Sequence, residues 1–170
     1  MHRQPDGALF DIVLLLHVVC VVVGLVTTVT AAATAARLRR LLGASVPLPD
    51  PVRRYFRPGV NWAGRSVWGI PVFGFALLGL SQGAYGWRDG WVMGGLTIFV
   101  VIAFLAEGVL WPAERRVQVG VGALGGPAAA TGAERGDPVD LVRDASLMVQ
   151  TATAAAVLLL VGTVLMIAQP

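Results

Sequence analysis

Four long apolar blocks, almost free of charge, alternate with polar connections along this chain, at residues 12–36, 66–80, 91–111 and 147–168. A bilayer core about 30 Å thick takes roughly 20 apolar residues of helix to cross, so each block predicts one membrane-spanning helix. The second block is the shortest and contains Pro71 and several glycines. It still reads as a span, because neighbouring helices re-satisfy backbone groups that proline and glycine leave free. Short connections favour antiparallel neighbours. The predicted fold is therefore all-α: a polytopic membrane protein with four transmembrane helices in an up-down-up-down bundle, one domain over residues 1–170. Residues 117–136, rich in Gly and Ala with Pro127, predict a flexible loop. Acidic residues in 137–144 mark the start of the fourth helix.

The first block also raises the question of a cleaved leader. Its apolar run continues past Cys20, longer than a signal h-region of about 7–15 residues, and Asp6 and Asp11 interrupt the expected basic end. It reads as a retained span. Composition agrees: 56% of residues are hydrophobic and 14% charged, against about a quarter charged in soluble domains, which leaves too little charge for a water-facing surface. The lipid bilayer is the natural solvent.

Charge adds a direction. All thirteen basic residues are arginine, and no basic face interleaved with aromatics appears, which argues against nucleic acid as a partner. Arg37, Arg39, Arg40, Arg53, Arg54, Arg57 and Arg65 lie between or beside blocks one and two, and Arg115, Arg116, Arg135 and Arg143 between three and four. Only Arg3 and Arg88 fall on the opposite side, a bias of eleven to two. Arginine-rich loops stay in the cytoplasm, so both termini are expected on the outer, periplasmic side of a bacterial inner membrane. Trp87 and Trp91 would flank the outer loop 81–90, with Trp62, Trp68 and Trp111 near the inner interface.

Helix association in lipid relies on small residues that permit close approach. Gly24, Thr28, Ala31 and Ala35 share one side of the first span, and Thr151, Ala152, Ala155 and Ala156 supply another stripe in the fourth. Gly69, Gly74 and Gly79 serve the second span, and Gly90, Gly94 and Gly95 the start of the third. Packing within the chain is the simplest use of these stripes; a homo-oligomer or a partner subunit is the other.

Ionisable groups inside a membrane are costly and mark candidate sites. His17 lies in the first span, with Cys20 three residues on and Gly24 seven on, sharing a face. Imidazole and thiolate are both metal ligands, so His17 and Cys20 are the candidate metal ligands and His17 the candidate cofactor ligand. No second histidine lies in a span, which argues against bis-histidine haem ligation within one chain; which cofactor, if any, is left open. Glu107, near the inner end of the third span, stands at a depth similar to Arg65. A structural ion pair between Arg65 and Glu107 would offset the cost of either charge, and a proton-relay carboxylate is the alternative. No Walker loop, G-x-S-x-G, H-E-x-x-H or C-x-x-C occurs, so no enzymatic activity is expected.

The run Leu14-Leu15-Leu16-His17, Gly24 seven residues later, the arginine-rich loop and the boundary Trp111-Pro112-Ala113-Glu114-Arg115-Arg116 resemble a family of small four-helix bacterial integral membrane proteins known only as predicted. That family is distantly similar to the membrane domain of copper-resistance D proteins. The chain carries Val23-Gly24-Leu25 where the family commonly has tryptophan-glycine-glycine, so the resemblance bears on fold more than on copper handling. Two roles follow as expectations. The first is a non-catalytic structural or accessory subunit that packs in a larger membrane complex or self-associates. The alternative is a small transporter, or a protein handling metal, haem or protons through His17 and Glu107.

Overall fold

A computed structural model describes residues 7–125 and 138–168. Among the described residues the regular structure is entirely helical. Helix α1 spans Ala8–Gly43, α2 Asp50–Tyr55 and α3 Trp62–Arg65; a 3-10 turn, Ser66–Trp68, leads into α4, Gly69–Leu80. Then come α5, Gly90–Leu105, a π-helical segment Ala106–Leu110, α6, Trp111–Gly125, and finally α7, Pro138–Ile167. Four helical stretches are long and apolar enough to cross a membrane: Ala8–Gly43, Trp62–Leu80, Gly90–Leu124 and Val139–Ile167.

Local chemistry explains the boundaries. Asn61 caps α3, its side chain accepting from Gly64 N at 3.1 Å. Pro71 falls in the first turn of α4, where a missing N–H costs little. Pro138 opens α7 with Asp140 in the first turn, which suits both the fixed φ of proline and the helix dipole. Hydroxyls inside the spans are satisfied by the preceding turn: Thr97 donates to Met93 O at 2.8 Å and Thr151 to Leu147 O at 2.7 Å.

The third span differs from its expected outline. The apolar pattern ends the third span at Trp111, and residues 117–136 predict a loop. Instead the helix passes through the π segment and continues to Gly125. A proline ring clashes with the carbonyl four residues back, here that of Gly108; the wider turn over Ala106–Leu110 makes room for it. Of the glycines beyond, Gly120 is a packing position, while Gly122 meets nothing. A β-carbon at Gly120 would stand 2.8 Å from Leu141 Cδ1. Residues 126–136 of the expected loop, and residue 137 of the expected helix start, lie outside the described residues.

The chain divides into two compact units. The first holds the described parts of Met1–Thr27, Asn61–Ile102 and Ala156–Pro170, the second Thr28–Val60 and Ala103–Ala155. The second unit is the more tightly packed. Ala35, Leu38, Ala113, Val117, Ala145 and Met148 have no exposed surface there, and Val52 and Phe56 at α2 are 1% exposed, so α1, α2, α6 and α7 all contribute to its core. Gln118 Nε2 donates to Gly59 O at 3.3 Å, and Arg116 forms a surface ion pair with Asp144 at 2.9 Å.

In the first unit, α1 meets α4 over two glycines. Cys20 Sγ fills the space where Gly69 lacks a side chain, and the imidazole of His17 lies over Gly74, 3.5 Å from where its β-carbon would be. Gly94 is closely covered by Leu165, and Gly95 and Gly162 meet Met166 and Ile98, which joins α5 to α7. Gly79 and Gly90 meet nothing. The small-residue stripes thus serve packing at most positions, but not at these two.

Candidate functional site

The first unit contains a partly open cavity of about 480 Å³. Its walls come from α1, α4, α5, the α4–α5 connection and the end of α7, and they are almost wholly aliphatic or aromatic. His17 borders it from α1, facing Gly74 across the α1–α4 contact. Because position 74 has no side chain, the ring is held beside open volume instead of being packed over.

Around the cavity the aromatic residues form ordered pairs. Tyr85 and Trp91 meet edge to face with ring centroids 5.3 Å apart, and Phe75 and Trp87 stand 5.7 Å apart at 39°. The connection that presents Tyr85 and Trp87 is a tied turn. Tyr85 N donates to Ser81 Oγ at 3.4 Å and Gly86 N to Asp89 Oδ2 at 2.8 Å, while Gly83 takes a φ of +86° that a side chain would resist.

Few residues of this lining carry a polar atom: His17, Thr163, Tyr85, Trp87 and Trp91. His17 is 5% exposed, and its Nδ1 is buried with no hydrogen-bond partner. The ring is hydrogen-bonded to the backbone of Ile70. Thr163, also in the wall, has its hydroxyl committed to Leu159 O at 2.8 Å. A buried polar atom left unpaired costs on the order of 1–3 kcal/mol.

Cys20 does not join His17 in the cavity lining. Its sulfur is directed at Gly69, one end of the same α1–α4 contact, and the imidazole at Gly74, the other. Among the described residues no group of three or more His, Cys, Asp or Glu side chains gathers in a way that could hold a metal ion. Glu107 is exposed within the π segment of the second unit, and Arg65 closes α3 in the first. The two members of the expected ion pair therefore belong to different units.

The second unit has a polar cluster that the apolar pattern did not single out. Glu114, Gln118 and Thr151 are all buried, and the hydroxyl of Tyr55 is buried without a hydrogen-bond partner. Burial, and then the nearby Glu114 carboxylate, push the Tyr55 phenol well above its ordinary range. Glu114 and Gln118 occur in a helical stretch that sequence reading ended at Trp111, so their burial had no periodic signal to announce it. The cavity was missed for another reason. Tyr85, Trp87 and Trp91 carry the signature of an interfacial belt, and only the fold turns them toward His17. Compared with family models, with curated proteins and with solved structures, the chain gives no match in any of the three, so the likeness to the copper-resistance D membrane domain gains no support.

Proposed function

We propose that this chain is a non-catalytic integral membrane protein that binds a neutral, lipid-soluble small molecule in the His17 cavity. Of the two roles expected from the sequence, accessory subunit and small-molecule handling, the cavity favours the second. One observation carries the reading: a volume of about 480 Å³ with an almost wholly aliphatic and aromatic lining, in which His17, Thr163, Tyr85, Trp87 and Trp91 are the few residues with a polar atom. Small-molecule sites commonly occupy about 300–1,000 Å³, mostly apolar with a few placed polar groups. Among the described residues no carboxylate, thiol or cation lines the cavity, which suits binding over chemistry. The arginine bias supports an inner-membrane orientation with both termini outside, placing the Tyr85–Trp91 end of the cavity toward the periplasm.

Solvent extraction of the protein purified in mild detergent, followed by mass spectrometry, tests this. The wild type should retain a stoichiometric lipophile. Gly74→Leu, which projects a side chain into the cavity beside His17, should lose it while keeping its helical signal and monodispersity. Equal retention by both forms would overturn the reading.

A further inference from the structure

A different surface, in the second unit, stands apart from the cavity and uses none of its residues. The chain leaves α1 by a reversing turn, in which Val46 N donates to Leu41 O and Ser45 N to Leu42 O, each at 3.1 Å. The helix that follows, α2, has only six residues, yet it is firmly held. Val52 and Phe56, one turn apart, are both 1% exposed. Just beyond them, Gln118 Nε2 of α6 donates to Gly59 O at 3.3 Å. Tyr55 lies near enough to the Glu114 carboxylate of α6 to be affected by its charge. With Val52 and Phe56 turned into the core, Arg53, Arg54 and Arg57 are left exposed, and so is Arg115, next to Glu114 on α6.

These guanidinium groups lack an anion of their own. In the second unit every described arginine is exposed, and among the described residues only Arg116 is ion-paired, with Asp144. Glu114 is buried, and Asp50 forms no ion pair with Arg53 or Arg54 despite favourable helical spacing. Membrane topology asks only for positive charge near the bilayer. It does not ask for a short helix pinned by two buried side chains, which fixes the arginines as an array. Arginine forks in a fixed arrangement suit phosphate, which they bind through paired hydrogen bonds. The next span begins at Trp62, five residues after Arg57, and its indole is 77% exposed, as suits the headgroup level of a bilayer. We propose that the exposed side of α2, together with the start of α6, binds anionic phospholipid headgroups, Arg53, Arg54, Arg57 and Arg115 pairing with their phosphates. A zwitterionic headgroup carries its own cation beside the phosphate and gains less from the array.

The test uses the full chain in dodecyl maltoside, a neutral detergent, titrated separately with dioleoylphosphatidylglycerol, dioleoylphosphatidylcholine and inorganic phosphate. Thermal unfolding is followed by circular dichroism, and native mass spectrometry counts the lipid each form retains. Phosphatidylglycerol should raise the unfolding midpoint saturably, and the other two should not. The rise should collapse at about 1 M NaCl, where screening acts within roughly 3 Å. Arg53→Gln/Arg54→Gln/Arg57→Gln should weaken the apparent affinity by about tenfold to a hundredfold. Arg88→Gln, on the α4–α5 connection, should bind as the wild type does. Equal stabilisation by phosphatidylcholine, or retention of phosphatidylglycerol by the triple variant at the wild-type level, would overturn the proposal. The same rise with inorganic phosphate alone would overturn the lipid as the source of the anion. Should the triple variant fail to fold, the wild type still decides: a midpoint rise that salt leaves unaltered is not made by these arginines.

Discussion

Two buried polar atoms without partners, one in each unit, set what single residues can be expected to do. His17 Nδ1 is the first. Its penalty offsets the ring's hydrogen bond to the Ile70 backbone, so His17→Leu should change stability by no more than about 1 kcal/mol. Denaturant unfolding of extracted, ligand-free protein measures this. A loss of more than about 2 kcal/mol would mark His17 as a satisfied structural residue. Tyr55 is the second. Its neutral phenol is favoured in the fold by burial first and by the Glu114 carboxylate second. A raised folded-state pKa contributes stability that is intact below the unfolded value of about 10 and fades above it, where the unfolded chain ionises first. In a Tyr85→Phe background Tyr55 is the only tyrosine left. Near-ultraviolet absorbance should then show no phenolate as pH passes through about 10. Adding Glu114→Gln should lower the transition only in part, because burial is the larger cause; ionisation at the ordinary value in the Glu114-containing protein would contradict this account.

Between helices the decisive feature is how closely backbones approach. At the α1–α4 contact, Cys20 Sγ already occupies the space that a side chain at position 69 would need. Gly69→Ala should destabilise the protein by about 1–3 kcal/mol through overpacking, and Cys20→Ala should recover most of the loss, since the two changes share one volume. Additive effects in a double-mutant unfolding cycle would show that the two residues do not compete for that space. The π segment behaves differently. A β-carbon at Gly108 would meet nothing within 4 Å, so Gly108→Ala should be tolerated and stabilise by about 0.5–1 kcal/mol. Helix lengths matter as well. Thirty-six residues make α1 about 54 Å long at 1.5 Å per residue, well beyond the roughly 30 Å of a hydrocarbon core. Its arginine-bearing end, Arg37, Arg39 and Arg40, therefore has length to spare outside the apolar zone.

For the molecule as a whole, the proposed orientation rests on eleven arginines set against two. In a Cys20→Ala background, Val46→Cys should react with a membrane-impermeant maleimide only after the inner membrane is opened, and Gly90→Cys in intact spheroplasts. The reverse pattern would invert the assigned topology. The number of spans and the all-helical class were legible in the sequence because both depend on runs of apolar residues long enough to cross lipid, a local property that no tertiary contact can hide. Stripes such as Ala31, Ala35, Ala152 and Ala155 were legible for the same reason, and all four are buried. The continuation of the third helix to Gly125 was not, because it depends on a π turn that accommodates Pro112 and on Leu141 covering Gly120. Nor was the cavity. Whether His17 is packed over or left beside open space depends on its meeting Gly74, fifty-seven residues away in sequence, and on rings from the α4–α5 connection turning inward. By itself the sequence determined how many times the chain can cross a membrane and which ends carry charge, since hydropathy and charge act residue by residue. Tertiary structure alone decided which small residue faces which polar one, and so where an unpaired nitrogen borders a space large enough to hold a ligand.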